Sequence, residues 1–249
     1  MPGFARSQGR YRVRFARTEE ELDAILRLRF EVFNLEMGEG LEDSFETERD
    51  WDRFDSWCHH LLVEEAASDR VIGTYRMQTP EMAAAAGGFY SSGEFQVDQL
   101  PDVVLRSSVE VGRACIAREH RSRTVLFLLW MGLAAYMRAQ SKRYLFGCCS
   151  LSSQDREEGL RLYRQLVAAG HLHPSCRVEP RPGFACGAAP AAGPVGETVE
   201  VPQLFATYLR YGAKILGPPA IDREFKTIDY FVLLDVEALD PRTYRIFFT

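Results

Sequence analysis

The stretch V-E-V-G-R-A-C-I-A (109–117), R-E-H-R-S-R (118–123) and T-V-L-F-L-L-W-M-G-L-A-A-Y-M-R-A (124–139) decides the fold. Its first run is rich in Val, Ile, Cys and Ala and predicts a buried strand. A charged turn comes next. The last run is apolar on nearly every side, which predicts a buried helix rather than a surface one. Its apolar core, Val125 to Met137, is shorter than the roughly 20 residues a bilayer span needs.

Toward the N-terminus, Tyr11 to Ala16 alternates as a short strand. Thr18 followed by Glu21 makes a capping box and opens a helix from about Glu19 to Asn34. Its inward stripe is Leu22, Ile25, Leu26, Val32 and Phe33, and Arg29 falls on that stripe. Glu36 to Asp55 is acidic without clear period. His60–Glu64 and Val71–Met77 read as an antiparallel pair. Pro80 to Gly88 is a short alanine-rich helix or a loop. Toward the C-terminus, Arg143–Cys149 predicts a strand and Asp155–Ala169 an amphipathic helix. A helix over Val201–Leu216 and a strand over Tyr230–Val236 complete the pattern. This order predicts one α/β (α+β) domain over 1–249, an α/β/α sandwich around a mixed, largely antiparallel sheet. A basic N-terminal arm (about 1–10) and a Pro/Gly/Ala-rich insertion (about 180–198) flank or interrupt it.

The chain has 249 residues, 46% hydrophobic and 26% charged. Those values exclude a disordered chain, a collagen-like rod and a disulfide-rich mini-protein. A net charge of -5 carries no global signature for nucleic acid. The N-terminal arginines Arg6, Arg10, Arg12, Arg14 and Arg17 precede no apolar signal core, so a cytoplasmic protein with reduced thiols is expected. Cys58, His59 and His60 are adjacent. Neighbours on a strand point to opposite faces, so no metal site is expected there. No phosphate-loop, dinucleotide or nucleophile-elbow motif is present.

Charges set in apolar surroundings carry more. Arg29 on an apolar helix face needs carboxylate partners, and Asp52 and Asp55 in D-R-F-D are the candidates. Arg76 sits in the strand G-T-Y-R-M. For Arg29, Asp52 and Asp55 the first reading is a structural ion-pair network. Glu110 and Arg113 lie in one buried strand and read as functional. Regular alternation puts them on opposite faces, so a shared site depends on a bulge, which Gly112 permits. Arg118, Arg121 and Arg123 surround Ser122 at a helix start. That is either a solvated basic turn or a place for phosphate.

In order, this set resembles the acyl-homoserine-lactone synthases and N-acyl amino acid synthases of the GNAT superfamily. The fuller resemblance is to the haemolysin-like branch, the ornithine–acyl-carrier-protein N-acyltransferases. It rests on R-L-R-F-E-V-F (27–33), H-L-L-V (60–63), G-T-Y-R (73–76), F-Y-S-S-G-E-F (89–95) and E-V-G-R (110–113). It continues through L-W-M-G-L-A-A-Y (129–136), L-F-G-C-C-S (145–150), Y-L-R-Y-G-A (208–213) and D-R-E-F-K-T-I-D (222–229). Two departures stand out. L-E-M-G-E-G (35–40) lacks the tryptophan usual in lactone synthases, and Arg121, Ser122 and Arg123 replace the glycine-rich loop of acetyl-CoA enzymes.

The resemblance implies an enzyme, an N-acyltransferase. It would move a long-chain or 3-hydroxy fatty acyl group from acyl carrier protein to the α-amine of ornithine, in lipid biosynthesis. Another amino-acid acceptor, a signal lactone, or a non-catalytic acyl-carrier or lipid-binding module are the alternatives. Glu110 would be the base and Arg113 its catalytic neighbour, with a backbone N–H beside Gly112 facing the oxyanion. Arg118, Arg121, Ser122 and Arg123 would take the phosphopantetheine phosphate of the carrier protein, or of acyl-CoA. Arg29, Phe33, Asp52, Asp55 and Arg76 would organise the acceptor side or hold the structure. His60 reads as structural. No metal and no permanently bound cofactor are implied. Partners would be acyl carrier protein and the amino acid, with peripheral contact at the inner face of the membrane and no nucleic acid.

Overall fold

The computed structural model describes residues 3–187 and 197–249, so the part 188–196 of the Pro/Gly/Ala-rich stretch near 180–198 lies outside the described residues. Two compact units divide the chain. One comprises Met1–Gly87, Val109–Lys142 and Pro241–Thr249, the other Gly88–Ser108 and Arg143–Asp240. Both mix helices with antiparallel strands, the fold class the sequence implies.

The first unit carries five strands in sequence order: β1 (Ala5–Gln8), β2 (Tyr11–Phe15), β3 (His59–Glu65), β4 (Val71–Gln78) and β5 (Ser108–Ile116). Each is antiparallel to the next. β1 is an addition to the sequence reading: within the N-terminal arm, four exposed residues form an edge strand on β2. The arginines of β2 are held. Arg12 and Arg14 converge on buried Glu64, with Nε–Oε1 distances of 2.6 and 2.8 Å. Like charges two apart on one strand face are tolerable when a carboxylate sits between them.

The capping box is present. Glu21 N–H donates to Thr18 Oγ1, and Thr18 N–H donates to the Glu21 carboxylate at 3.2 Å. The α-helix it opens spans Glu19–Arg29, not the longer run to Asn34 expected. At Phe30 it widens into a π-helix, Phe30–Glu36, and Met37 N–H donates to Val32 O, five residues back. A π-turn inserts a residue and rotates the chain after it, a device common at functional sites.

The helix Arg123–Ala139 packs on β2 and β3. Gly132 makes that approach close: a Cβ there would meet the Leu61 methyls at 2.5 Å. Phe127 and Trp130 on the same helix lie against Phe247 of the C-terminal helix Pro241–Phe248, with ring centroids 5.5 and 6.0 Å apart. Among the described residues no helix is long and apolar enough to cross a membrane.

The second unit centres on β9 (Thr227–Asp235). It pairs antiparallel with β6 (Tyr144–Leu151), β7 (Lys214–Ile215) and β8 (Ala220–Asp222). On one face of β9 Tyr230 donates to Gly159 O of the helix Arg156–Ala168 at 2.7 Å. On the other, Phe231 meets Phe95 at 5.3 Å. The expected helix Val201–Leu216 is corrected. It spans only Gln203–Arg210. Gly212 then takes a left-handed φ of 89° and Ala213 N–H closes on Tyr208 O, a glycine stop. Lys214 and Ile215 instead run beside β9, and Ile215 donates its N–H to His171 O and accepts from His173 N–H, each at 2.9 Å.

Candidate active site

The bulge that a shared Glu110–Arg113 site requires is present in β5. Thr74 on β4 opposes Cys115, and Arg76 opposes Gly112. Two steps on β4 thus match three on β5, so Arg113 and Ala114 together face Tyr75. Arg113 adopts a φ of 49°, a left-handed conformation that costs a non-glycine residue about 1 kcal/mol or more. The surrounding ion pairs hold it there. The sequence places the bulge at Gly112; the structure places it one residue later. The consequence is the same: Arg113 turns toward the side on which Arg76 lies.

Antiparallel partners share a face. Glu110 opposes Gln78 and Gly112 opposes Arg76, so Glu110, Gly112, Arg76 and Gln78 share one side of the β4–β5 pair. Glu110 is 6% exposed. A Cβ built on Gly112 meets nothing within 4 Å. Open space therefore begins directly beside the carboxylate, where a side chain would otherwise stand.

Below that space lies a three-arginine, three-aspartate cluster. Arg29 is fully buried. Its Nε donates to Asp50 Oδ2 at 2.8 Å, and its Nη1 donates to Asp55 Oδ1 at 2.7 Å. Arg76 Nη1 donates to Asp52 at 2.7 Å and Asp55 at 3.1 Å. Arg113 reaches Asp50 and Asp52, each at 3.2 Å. Burial works against every charge in the cluster, yet the pairing outweighs it. Asp50 and Asp55 stay well below the usual carboxylate range, chiefly because of Arg29. Arg29 stays protonated through Asp50 and Asp55, and Arg76 through Asp55 and Asp52. Asp55 also accepts a backbone N–H from Asp52 at 2.9 Å, which fixes the turn carrying both acids.

Sequence reasoning brought together Arg29, Asp52, Asp55 and Arg76, and missed Asp50. The signal was available: R-D-W-D puts a second acid two residues before Asp52. Phe33 is buried in the π-helix. His60 hydrogen-bonds to Asp55 O at 3.1 Å, and burial lowers its pKa to about 4. It is neutral at pH 7 and fills a structural role. Cys58 is pushed up to about 12, first by burial, with Asp55 and Glu110 adding to it. It therefore remains a thiol, and no nucleophilic thiolate forms beside Glu110 at this position.

The residues expected on the donor side sit at the turn after β5. Arg118 opens a short 3-10 turn, and Ser122 caps the helix Arg123–Ala139 by accepting from Val125 N–H at 3.3 Å. Arg118, Arg121, Ser122 and Arg123 are all exposed. Arg121 is engaged bidentately by Glu36 at 2.7 and 2.8 Å.

Residues 28–131 match the Acetyltransferase (GNAT) domain family. The L-ornithine N(alpha)-acyltransferase of Brucella abortus (strain 2308) is 34% identical, covering 94% of this chain and 87% of that protein. The enzyme of the same name from Rhizobium meliloti (strain 1021) is 31% identical over 92% and 81%. That from Rhodobacter capsulatus is 30% identical over 96% and 95%. Among solved structures, the AHL synthase LasI covers 90% of this chain and 89% of its own, at 12% identity and a TM-score of 0.48. With relatives of this identity matched nearly end to end, the chain belongs to the L-ornithine N(alpha)-acyltransferase family of acyltransferase enzymes.

Proposed function

We propose that this chain transfers a long-chain fatty acyl group from a thioester donor to the α-amine of ornithine, and that Glu110 is the general base. The observation that carries the reading is the open space over Gly112, flanked by a buried carboxylate and by Arg76 and Arg113. An α-ammonium has no lone pair, and its pKa is about 8 at a peptide terminus. A carboxylate within reach, directly or through one water, takes its proton. The neutral nitrogen attacks the thioester carbonyl and the C–N bond forms. The tetrahedral oxyanion is met by a backbone N–H at the bulge, where the extra residue stands outside the strand ladder. The C–S bond then breaks, the thiol leaves with the proton Glu110 had taken, and the nitrogen gives up its second proton to water as the amide forms.

Arg118, Arg121, Ser122 and Arg123 bind the donor's phosphopantetheine phosphate, and their exposure suits the acidic surface of an acyl carrier protein. Acyl-CoA carries the same phosphopantetheine arm. Arg113 holds Asp50 and Asp52 in place, and Arg29, Phe33, Asp52, Asp55 and Arg76 give the acceptor side its shape. The product is amphiphilic, so release at the inner face of a membrane, with the enzyme in peripheral contact, belongs to the same proposal. Single-domain action of residues 1–249, with the 1–10 arm and the 180–198 insertion as accessories, is part of it too.

The test is the purified chain with a long-chain acyl carrier protein thioester and ornithine, the product read by mass. N-acyl ornithine is expected; its absence with active donor and folded protein contradicts the reading. Combined Arg121→Ala and Arg123→Ala should raise the donor KM by roughly 10- to 100-fold, the loss of one or two charge-assisted hydrogen bonds. An unchanged KM removes both residues from the donor site.

A further inference from the structure

The second unit buries a pair of carboxyl groups to which the N-acylation chemistry assigns no task. Successive residues of a strand alternate sides, so Thr227, Asp229 and Phe231 share one face of β9. Ser150 opposes Asp229 on β6, and Cys148 opposes Phe231. The segment 89–95 lies over this face. Aromatic contacts hold its two ends: Phe89 meets Phe146 at 5.0 Å, and Phe95 meets Phe231 at 5.3 Å. Between them Cys148 Sγ donates to Ser91 Oγ at 3.6 Å, and the Glu94 side chain reaches Asp229. Their carboxyl oxygens lie within 4.8 Å of each other.

Both groups are deeply placed, Glu94 5% and Asp229 3% exposed. Asp229 accepts from the hydroxyls of Ser150 and Thr227, and its third side-chain hydrogen bond is to Glu94. An ionised carboxylate only accepts. A hydrogen bond between two carboxyl groups therefore requires a proton on one of them, and two carboxylates in one buried site resist ionising together.

The groups around Asp229 do not replace that proton with a cation. Asp222 on β8 is a further acid, and it accepts the backbone N–H groups of Glu224 and Phe225, each at 2.8 Å. Cys148 and Cys149 face it from β6, Cys186 and the Tyr230 phenol lie near, and all four are acids too. Burial raises Cys149, Cys186 and Tyr230, so they stay neutral. Burial, with Asp222 adding to it, also raises the Asp229 carboxyl to about 6. Its unfolded value is about 4. The closed segment thus holds a proton that the opened one releases. The stability this contributes is complete below about pH 4 and is lost as pH rises through about 6.

We propose that Glu94 and Asp229 share a single proton, and that this proton fastens the middle of the 89–95 segment to the β6–β9 pair. When it leaves to solvent, two carboxylates face each other and the segment loosens between its aromatic ends. The device gives a task to the Glu94 of F-Y-S-S-G-E-F and the Asp229 of D-R-E-F-K-T-I-D. It stands independently of the acyl-transfer reading.

The experiment is amide hydrogen exchange of the full-length protein at about pH 5 and about pH 8, corrected for intrinsic exchange rates and read on peptides covering 89–95. Wild type should lose about 10-fold of its protection there at the higher pH, the ratio set by carboxyl values of about 4 opened and about 6 closed. Asp229→Asn should keep its protection, because the new amide donates to Glu94 at either pH. Glu94→Gln should keep it as well, by donating to Asp229. Equal protection of wild type at both pH values overturns the proposal, even if neither variant folds. So does a loss in the folded variants as large as that in wild type. A stoichiometric metal ion in purified wild type, absent from Asp229→Asn, also overturns it, because a cation then bridges the pair in place of the proton.

Discussion

Glu110→Gln should lower kcat for N-acylation by about 10²- to 10⁴-fold at neutral pH, the usual contribution of a positioned general base. The substitution is nearly isosteric, so the strand and its pairing with Gln78 should persist. What goes is the proton acceptor. The donor KM should change little, because the residues proposed to bind the donor lie beyond the strand, at the 118–123 turn. Raising the pH should recover part of the lost rate, since a larger fraction of the amine is then already neutral. A variant with near-wild-type turnover at neutral pH would remove Glu110 as base. Loss of folded protein, read by circular dichroism, would instead assign Glu110 a structural role.

The second large effect is on stability. Arg29→Met leaves Asp50 and Asp55 buried while deleting the guanidinium each of them holds. Breaking one partner from a buried ion cluster costs about 3–5 kcal/mol. For a chain of this size that is a fall in Tm of roughly 6–20 °C. The pH dependence has a definite sign. In wild type the depressed Asp50 and Asp55 carboxyls stabilise the fold above their unfolded pKa of about 4, and that stability is lost as pH falls through the lower folded values. In the variant the same carboxyls lack Arg29, and their protonation relieves buried charge. The deficit should therefore shrink as pH falls toward about 4. A thermal melt within about 1 kcal/mol of wild type at pH 7 would show that Arg76 and Arg113 suffice to hold the cluster.

Much of this was readable in the chain. The apolar period of Val125–Met137 and the β3–β4 pair needed only hydrophobic pattern. Arg29 announced a buried counter-charge, because a guanidinium on an apolar face has few alternatives. What escaped reading depends on long-range pairing. β1 has no buried face, so no alternation marks it. β7 and β8 are too short to carry a period, and exist because β9 offers them backbone partners. Asp50 looked like one more acid in an acidic run until Arg29 and Arg113 closed on it. The π-helix at Phe30 rests on hydrogen-bond register, which residue identity does not encode. Glu94 and Asp229 stand far apart in sequence and meet only when the 89–95 segment covers β6 and β9.

The most direct test of the central claim is lipid mass spectrometry of a bacterial host that makes no aminolipids, expressing this chain with a supply of long-chain acyl carrier protein. The account predicts a new lipid whose fragments carry the ornithine head group, absent when Glu110→Gln is expressed at equal level. A head group of another amino acid, a homoserine lactone, or no acylated amine at all would contradict it.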